Sequence, residues 1–128
     1  MQQFVIEGGH ALNGTVTVSG NKNAALKMLP ACLLTDELVI LRNMPNIGDV
    51  RTLIEIMRRL GVEISWIGES TLRVHAKNVI SSSVDAALAQ RLRASIVLAG
   101  PLLARCGRES RSSAQSILAT ASYRFHLQ

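Results

Sequence analysis

KNAALKMLPACL, residues 22–33, and RASIVLAGPLLA, residues 93–104, carry one pattern twice in a chain of 128 residues. Each opens on a basic residue, continues with small residues through its first turn, and reaches a proline eight positions on. At a separation of 71 positions Lys22 meets Arg93, Ala24 meets Ser95, Ala25 meets Ile96 and Pro30 meets Pro101. That correspondence reads as repetition of a supersecondary unit. The residues between the two copies then define what one unit contains.

Working outward from the first copy, QFVIEG and GTVTVSG (residues 3–8 and 14–20) alternate apolar and polar residues and predict two strands around a Gly/Asn-rich turn region. A helix is predicted over about residues 23–34. ELVILRNMP, residues 37–45, reads as a buried strand ended by Pro45. In IGDVRTLIEIMRRLG, residues 47–61, Val50, Leu53, Ile54, Met57 and Leu60 recur at helical spacing, and Gly61 supplies a stop. VEISWIG and TLRVHA, residues 62–68 and 71–76, join through a short turn as a β-hairpin. Residues 84–105 are Ala/Leu-rich and mostly helical in pattern, with an extended first part as the alternative. The order β-β-α-β-α-β-β-α predicts an α/β fold with a mixed sheet, made of βαβαββ repeats. One complete repeat spans about residues 1–80, and a second begins at about 84–108. The echo then stops. A strand like ELVILRN should recur at residues 108–114, where RESRSSA has no apolar alternation. Residues 109–128 are therefore expected to be a tail of different origin, from a shifted reading frame or a misjoined piece.

Bulk composition narrows the classes. The chain is 48% hydrophobic and 18% charged, which predicts a folded domain with a real core. Net charge is +5, but four arginines and one glutamate from Arg105 onward carry most of it. Aromatic residues are 3%, and no basic run is interleaved with stacking rings, so no nucleic-acid partner is expected. The N-terminus lacks the pattern of a signal peptide, and no apolar run reaches membrane-spanning length; a cytoplasmic protein with no membrane partner is expected. Cys32 and Cys106 are far apart and read as buried, reduced thiols, not as a disulfide or metal site. Asp49, Glu55, Arg58 and Arg59 read as solvated helix charges, His75 as a structural or exposed histidine, and Trp66 as a ring packed over the sheet.

One placement runs against this quiet background. Lys22 stands where a helix begins, at an end already positive from its unpaired N–H groups. Such a cation costs a few tenths of a kcal/mol unless an anion lies between it and the amides. In SGNKNAAL, Gly20 permits a tight turn, Asn21 or Asn23 can cap the helix, and Lys22 suits a phosphate or carboxylate. A Walker A loop is absent. Arg93 at the echoed position, with Arg91 as a further candidate, points to a shared anion-binding cleft.

SGNKNAALKMLPACLL, LRNMPNIGDVRTLIEIMRRLG and RLRASIVLAGPLLARCG together resemble the opening part of the UDP-N-acetylglucosamine 1-carboxyvinyltransferase family, from about Phe4 to Arg108. The resemblance implies an inside-out α/β barrel of two similar domains built from six βαβαββ units. It implies transfer of enolpyruvate from phosphoenolpyruvate to the 3′-hydroxyl of the UDP-sugar in peptidoglycan precursor synthesis, with release of phosphate. Under it Lys22 holds phosphoenolpyruvate, Asn23 touches UDP-N-acetylglucosamine, Arg93 lines the cleft, and no metal or organic cofactor is required. The family's general acid is a Cys or Asp in a Pro-Gly-Gly loop; Cys106 precedes that position, so no catalytic acid is identified in this chain. The chain is accordingly expected to need the remainder of an enzyme, to be inactive by itself, and to expose edges meant for missing neighbours. Two other readings are a non-catalytic anion-binding module and the sister shikimate-pathway transferase, whose motif prefers Ser where this chain has Asn23.

Overall fold

The computed structural model describes residues 2–79 and 93–106. Their helices and strands form two layers. Helix α1, Lys22–Ala31, runs into a 3-10 segment at Cys32–Leu34. Strand β1 (Leu38–Leu41) leads to helix α2 (Gly48–Arg59), and β2 (Glu63–Trp66) and β3 (Leu72–His75) form the hairpin. A second 3-10 segment, Arg93–Leu98, continues into α3, Ala99–Cys106.

The sheet order is β1-β3-β2, antiparallel on both sides of β3. The mixed pairing expected from the sequence is not found among the described strands. Register explains why one face is apolar. Val39, Val74 and Ile64 share one row, and Leu41, Leu72 and Trp66 another, all turned toward the helices. The intervening rows, Leu38–His75–Glu63 and Ile40–Arg73–Ser65, take the opposite face because side chains alternate along a strand. Trp66 is half-buried and packs on this core, as its sequence position suggested.

Helix α2 buries Val50, Leu53, Ile54, Ile56 and Met57 against that face, and Leu60 caps it. Each such aliphatic side chain contributes about 1.5–3 kcal/mol on burial. Its end is fixed by backbone geometry: Gly61, at φ +97°, donates to Arg58 O at 3.0 Å, and Val62 donates to Met57 O at 3.1 Å. This paired closure needs a left-handed residue at position 61, which glycine supplies without strain. In α1, Leu26 and Leu29 enter the core, and Pro30 lies near the helix end, where the chain tightens into the 3-10 segment.

Three expectations are corrected. Residues 2–20 form no strand; Phe4, Val5, Ile6, Leu12, Val16 and Val18 are all at least 78% exposed. Alternation prepares a strand to bury one face, but a strand exists only when another pairs with it, and the three-stranded sheet does not. Arg58 is not a solvated helix end. Its guanidinium donates to Ile64 O at 2.6 and 3.1 Å, tying α2 to β2, whereas Arg59 pairs with Glu55 at 3.3 Å within the helix. Cys106 is half-buried, not buried; Cys32 is buried, and both thiols are free. The residues at 80–92 and 107–128 lie outside the described residues, and with them Arg91 and the expected tail.

Arg105 joins the parts. From α3 it donates to Leu33 O at 2.9 Å, Ala76 O at 2.7 Å and Lys77 O at 3.2 Å, so one guanidinium holds the ends of the first helical segment and of β3. Hydrogen bonds from a charged donor contribute about 1.5–3 kcal/mol. Arg105→Met should therefore lower the unfolding free energy by about 2 kcal/mol, measured by urea denaturation with an unchanged slope.

Burial also pushes the Cys32 thiol up, partly offset by a backbone hydrogen bond. Its Sγ–H donates to Met28 O at 3.3 Å. The folded chain thus holds this proton more tightly than the unfolded chain, so the contribution is intact at neutral pH and is lost as pH rises beyond the ordinary thiol range. Stability should fall more steeply above about pH 8.5 in the wild type than in Cys32→Ala, as denaturation at stepped pH would measure.

Candidate functional site

Helix α1 begins with its side-chain cap. Asn21, extended at φ −77° and ψ 129°, accepts a hydrogen bond from Ala24 N at 3.0 Å. Of the two asparagines weighed from sequence, Asn21 is therefore the cap. Asn23 is exposed beside Lys22 in the first turn, which contains no acidic residue.

The acid comes from another helix. Lys22 Nζ donates to Asp49 Oδ2 at 2.9 Å across 27 positions of sequence. Asp49 is the second residue of α2 and lies in that helix's positive first turn. The unfavourable placement of Lys22 is thus met by a carboxylate that also complements its own helix. About half of each side chain is exposed, 52% and 46%, so the pair stabilises the fold by 1 kcal/mol at most, to order of magnitude.

Backbone packing brings the two helix starts together. Gly20 lies so close to the segment entering α2 that a Cβ there would overlap the Asn43 carbonyl oxygen and stand 2.9 Å from Pro45 Cδ. That segment is itself held: Asn43 adopts φ +54°, and Met44 N donates to Ser70 O at 2.8 Å. Arg51 then reaches back from α2, with Nε 2.7 Å from Asn46 Oδ1 and a terminal nitrogen 3.2 Å from Asn46 O. Four local features converge on one result, a lysine and a carboxylate facing each other at adjoining helix ends.

The structure brings Lys22 and Asn23 together in one turn. Arg93 begins the 3-10 segment that packs against α1, as Lys22 begins α1 itself, but its side chain lies outside the described residues. Asp49 was missed as a partner. The available signal was its place in the first turn of the most regular helix, but only tertiary packing reveals which cation it meets. Among the described residues there is no cluster of His, Cys, Asp and Glu able to hold a metal ion, and no helix long and apolar enough to cross a membrane.

Comparison with known proteins identifies the family. The family model for EPSP synthase (3-phosphoshikimate 1-carboxyvinyltransferase) matches residues 6–119, beyond Arg108 where the sequence pattern changes. The chain belongs to the EPSP synthase family. Within that family it is similar to the UDP-N-acetylglucosamine 1-carboxyvinyltransferase of Bradyrhizobium diazoefficiens, at 50% identity over 105 residues, covering 82% of this chain and 24% of the relative. The enzyme of the same name from Borreliella burgdorferi is 43% identical over 108 residues, 84% of this chain and 25% of the relative. The crystal structure of the enolpyruvyl transferase NikO from Streptomyces tendae superposes with a TM-score of 0.66 at 30% identity, covering 78% of this chain and 23% of that one. The fold is therefore that of part of an enolpyruvyl transferase, and the α/β expectation holds. The chain spans about a quarter of the length of the curated relatives it matches.

The contact at Gly20 can be tested directly. Adding one methyl group to a filled space costs about 1–3 kcal/mol, and here it must move backbone. Gly20→Ala should lose that much stability in denaturant melts, and should also weaken the Lys22–Asp49 contact, read from the side-chain NMR resonances of both residues.

Proposed function

We propose that this chain forms the anion-receiving opening segment of an enolpyruvyl transferase that moves enolpyruvate from phosphoenolpyruvate to the 3′-hydroxyl of UDP-N-acetylglucosamine, releasing phosphate in peptidoglycan precursor synthesis. The observation that carries this reading is Lys22 in the first turn of α1, in a chain up to 50% identical to proteins named for that reaction. Residues 1–108 make up its part of the N-terminal domain, one repeat and the start of a second, with 109–128 as a distinct tail. It works in the cytoplasm.

Phosphoenolpyruvate is a compact anion carrying a phosphate and a carboxylate. An ammonium beside unpaired helix amides matches it: the lysine supplies up to three donors, and the first-turn N–H groups add a fixed partial positive charge. Lys22 therefore takes the donor's negative charge, and exposed Asn23 offers both an acceptor and a donor to UDP-N-acetylglucosamine. Arg93 and Arg91 extend the cationic lining. In the reaction a proton is added to the methylene carbon and the sugar hydroxyl oxygen bonds to the neighbouring carbon while giving up its own proton; a proton then leaves the methyl carbon so formed as the carbon–oxygen bond to phosphate breaks, which restores the carbon–carbon double bond. The acid and base for those proton transfers are assigned to segments outside the quarter spanned here. The part played by this chain is to bind and orient.

The test uses the 128-residue chain. Adding phosphoenolpyruvate should shift the backbone amide resonances of Asn23, Ala24 and Ala25, and Lys22→Ala should weaken binding by about tenfold, the value of one charge-assisted contact. No phosphate should be released when both substrates are added. Shifts that are unchanged in Lys22→Ala would remove Lys22 from the site. A response at Asn23 to shikimate 3-phosphate in place of UDP-N-acetylglucosamine would point to the sister reaction instead.

A further inference from the structure

We infer that Asp49 is a positioning residue for the anion subsite, a resident counter-ion that holds Lys22 in the absence of ligand and that a phosphorylated ligand must displace. The inference rests on the assignment of Lys22 to phosphoenolpyruvate made above. Three observations carry it. Asp49 approaches Lys22 at 2.9 Å through one carboxylate oxygen, so an arriving ligand has a single hydrogen bond to exchange. Both side chains are about half exposed, so the contact is weak enough to be exchanged. The contact is also imposed by packing: Gly20 against Asn43 and Pro45 sets the separation of the two helix starts, and Arg51 holds Asn46 at the entry to α2.

A carboxylate in this position has two effects. It keeps the ammonium at the mouth of α1, where an anion would meet the first-turn amides. It also stands beside any anion that arrives, fixed in the first turn of α2. The subsite therefore disfavours weak anions. A monocarboxylate offers Lys22 nothing that Asp49 does not already supply from within the chain. A phosphate dianion offers twice the charge and three acceptor oxygens, enough to take the lysine despite the neighbouring repulsion. Asp49 thus selects phosphorylated ligands over simple carboxylates, at some cost in affinity for both.

NMR titration of the full 128-residue chain with inorganic phosphate, phosphoenolpyruvate and acetate at low ionic strength tests this. Asp49→Asn should bind phosphate and phosphoenolpyruvate about two- to fivefold more tightly than wild type, the range that an exposed ion pair spans. Acetate, without effect on the wild type, should shift the first-turn amides of α1 in Asp49→Asn, and Asp49→Glu should restore the wild-type pattern. A purely structural ion pair would lower the melting temperature of Asp49→Asn without raising any affinity; that outcome, or an absence of binding by both chains, overturns the inference. If circular dichroism shows Asp49→Asn unfolded, the wild type decides: phosphate must shift the Asp49 carboxyl carbon resonance together with the α1 amides, and amide shifts alone refute displacement. Lys22→Ala separates the two proposals, since anion shifts that survive it refute the assignment of Lys22, whereas an unchanged affinity in Asp49→Asn refutes only the role of Asp49.

Discussion

Two helices that begin side by side bring like partial charges together, and the layout of this chain follows from that constraint. The N-terminal turns of α1 and α2 are close enough for Lys22 and Asp49 to touch, so the positive ends of both dipoles share one region. Adding Lys22 there concentrates positive charge further. A single carboxylate from α2 offsets part of it, and the surplus faces solvent. What makes the fold slightly costly at this end is also what the proposed anion subsite would use. Placing the cost at the surface keeps it small, because water screens half-exposed charges that would be ruinous in the core.

Stability comes from elsewhere. Leu29 and Leu33 from the first helical segment, Leu53 and Met57 from α2, Leu72 and Val74 from β3, and Leu98 and Leu102 from the later segment form one buried set. The helices are held against a sheet whose rows alternate inward and outward, so the charged helix ends are left at the rim. Arg58 and Arg105 strengthen this frame by a different means: each donates to backbone carbonyls on another element, which fixes how elements meet without contributing charge to the rim. Cations that look alike in sequence are thus divided between framework and exposed rim according to what packs opposite them.

That division shows why some features were legible in the sequence and others were not. Helix α2 was legible almost to the residue, because Val50, Leu53, Ile54 and Met57 declare a period and Gly61 ends it, all within one local stretch. The hairpin was legible for the same reason. The strands expected at residues 3–8 and 14–20 show the opposite case: alternation states which side chains want burial, but not what covers them, and here the apolar residues stand exposed. Lys22 was conspicuous because its conflict with the helix dipole is local. Asp49 was not, since its role depends on an approach at Gly20 that only the folded backbone reveals. The echo of Lys22 in Arg93 could be seen in sequence, and the packing of the Arg93–Leu98 segment on α1 is now seen in structure.

Binding and reaction make different demands on a fold, and the role proposed for this chain is the first. A subsite for a phosphorylated anion can be assembled from a helix start, a lysine and a nearby counter-ion, all positioned by a small core. Addition to an enolpyruvyl group also requires proton donors and acceptors on particular sides of the reacting carbons, held to within fractions of an ångström. Such groups must surround the substrate, and a two-layer arrangement with its charged rim at one end can face only one side of it. On the proposed reading, the rim that presents Lys22 outward would meet an anion from one side only.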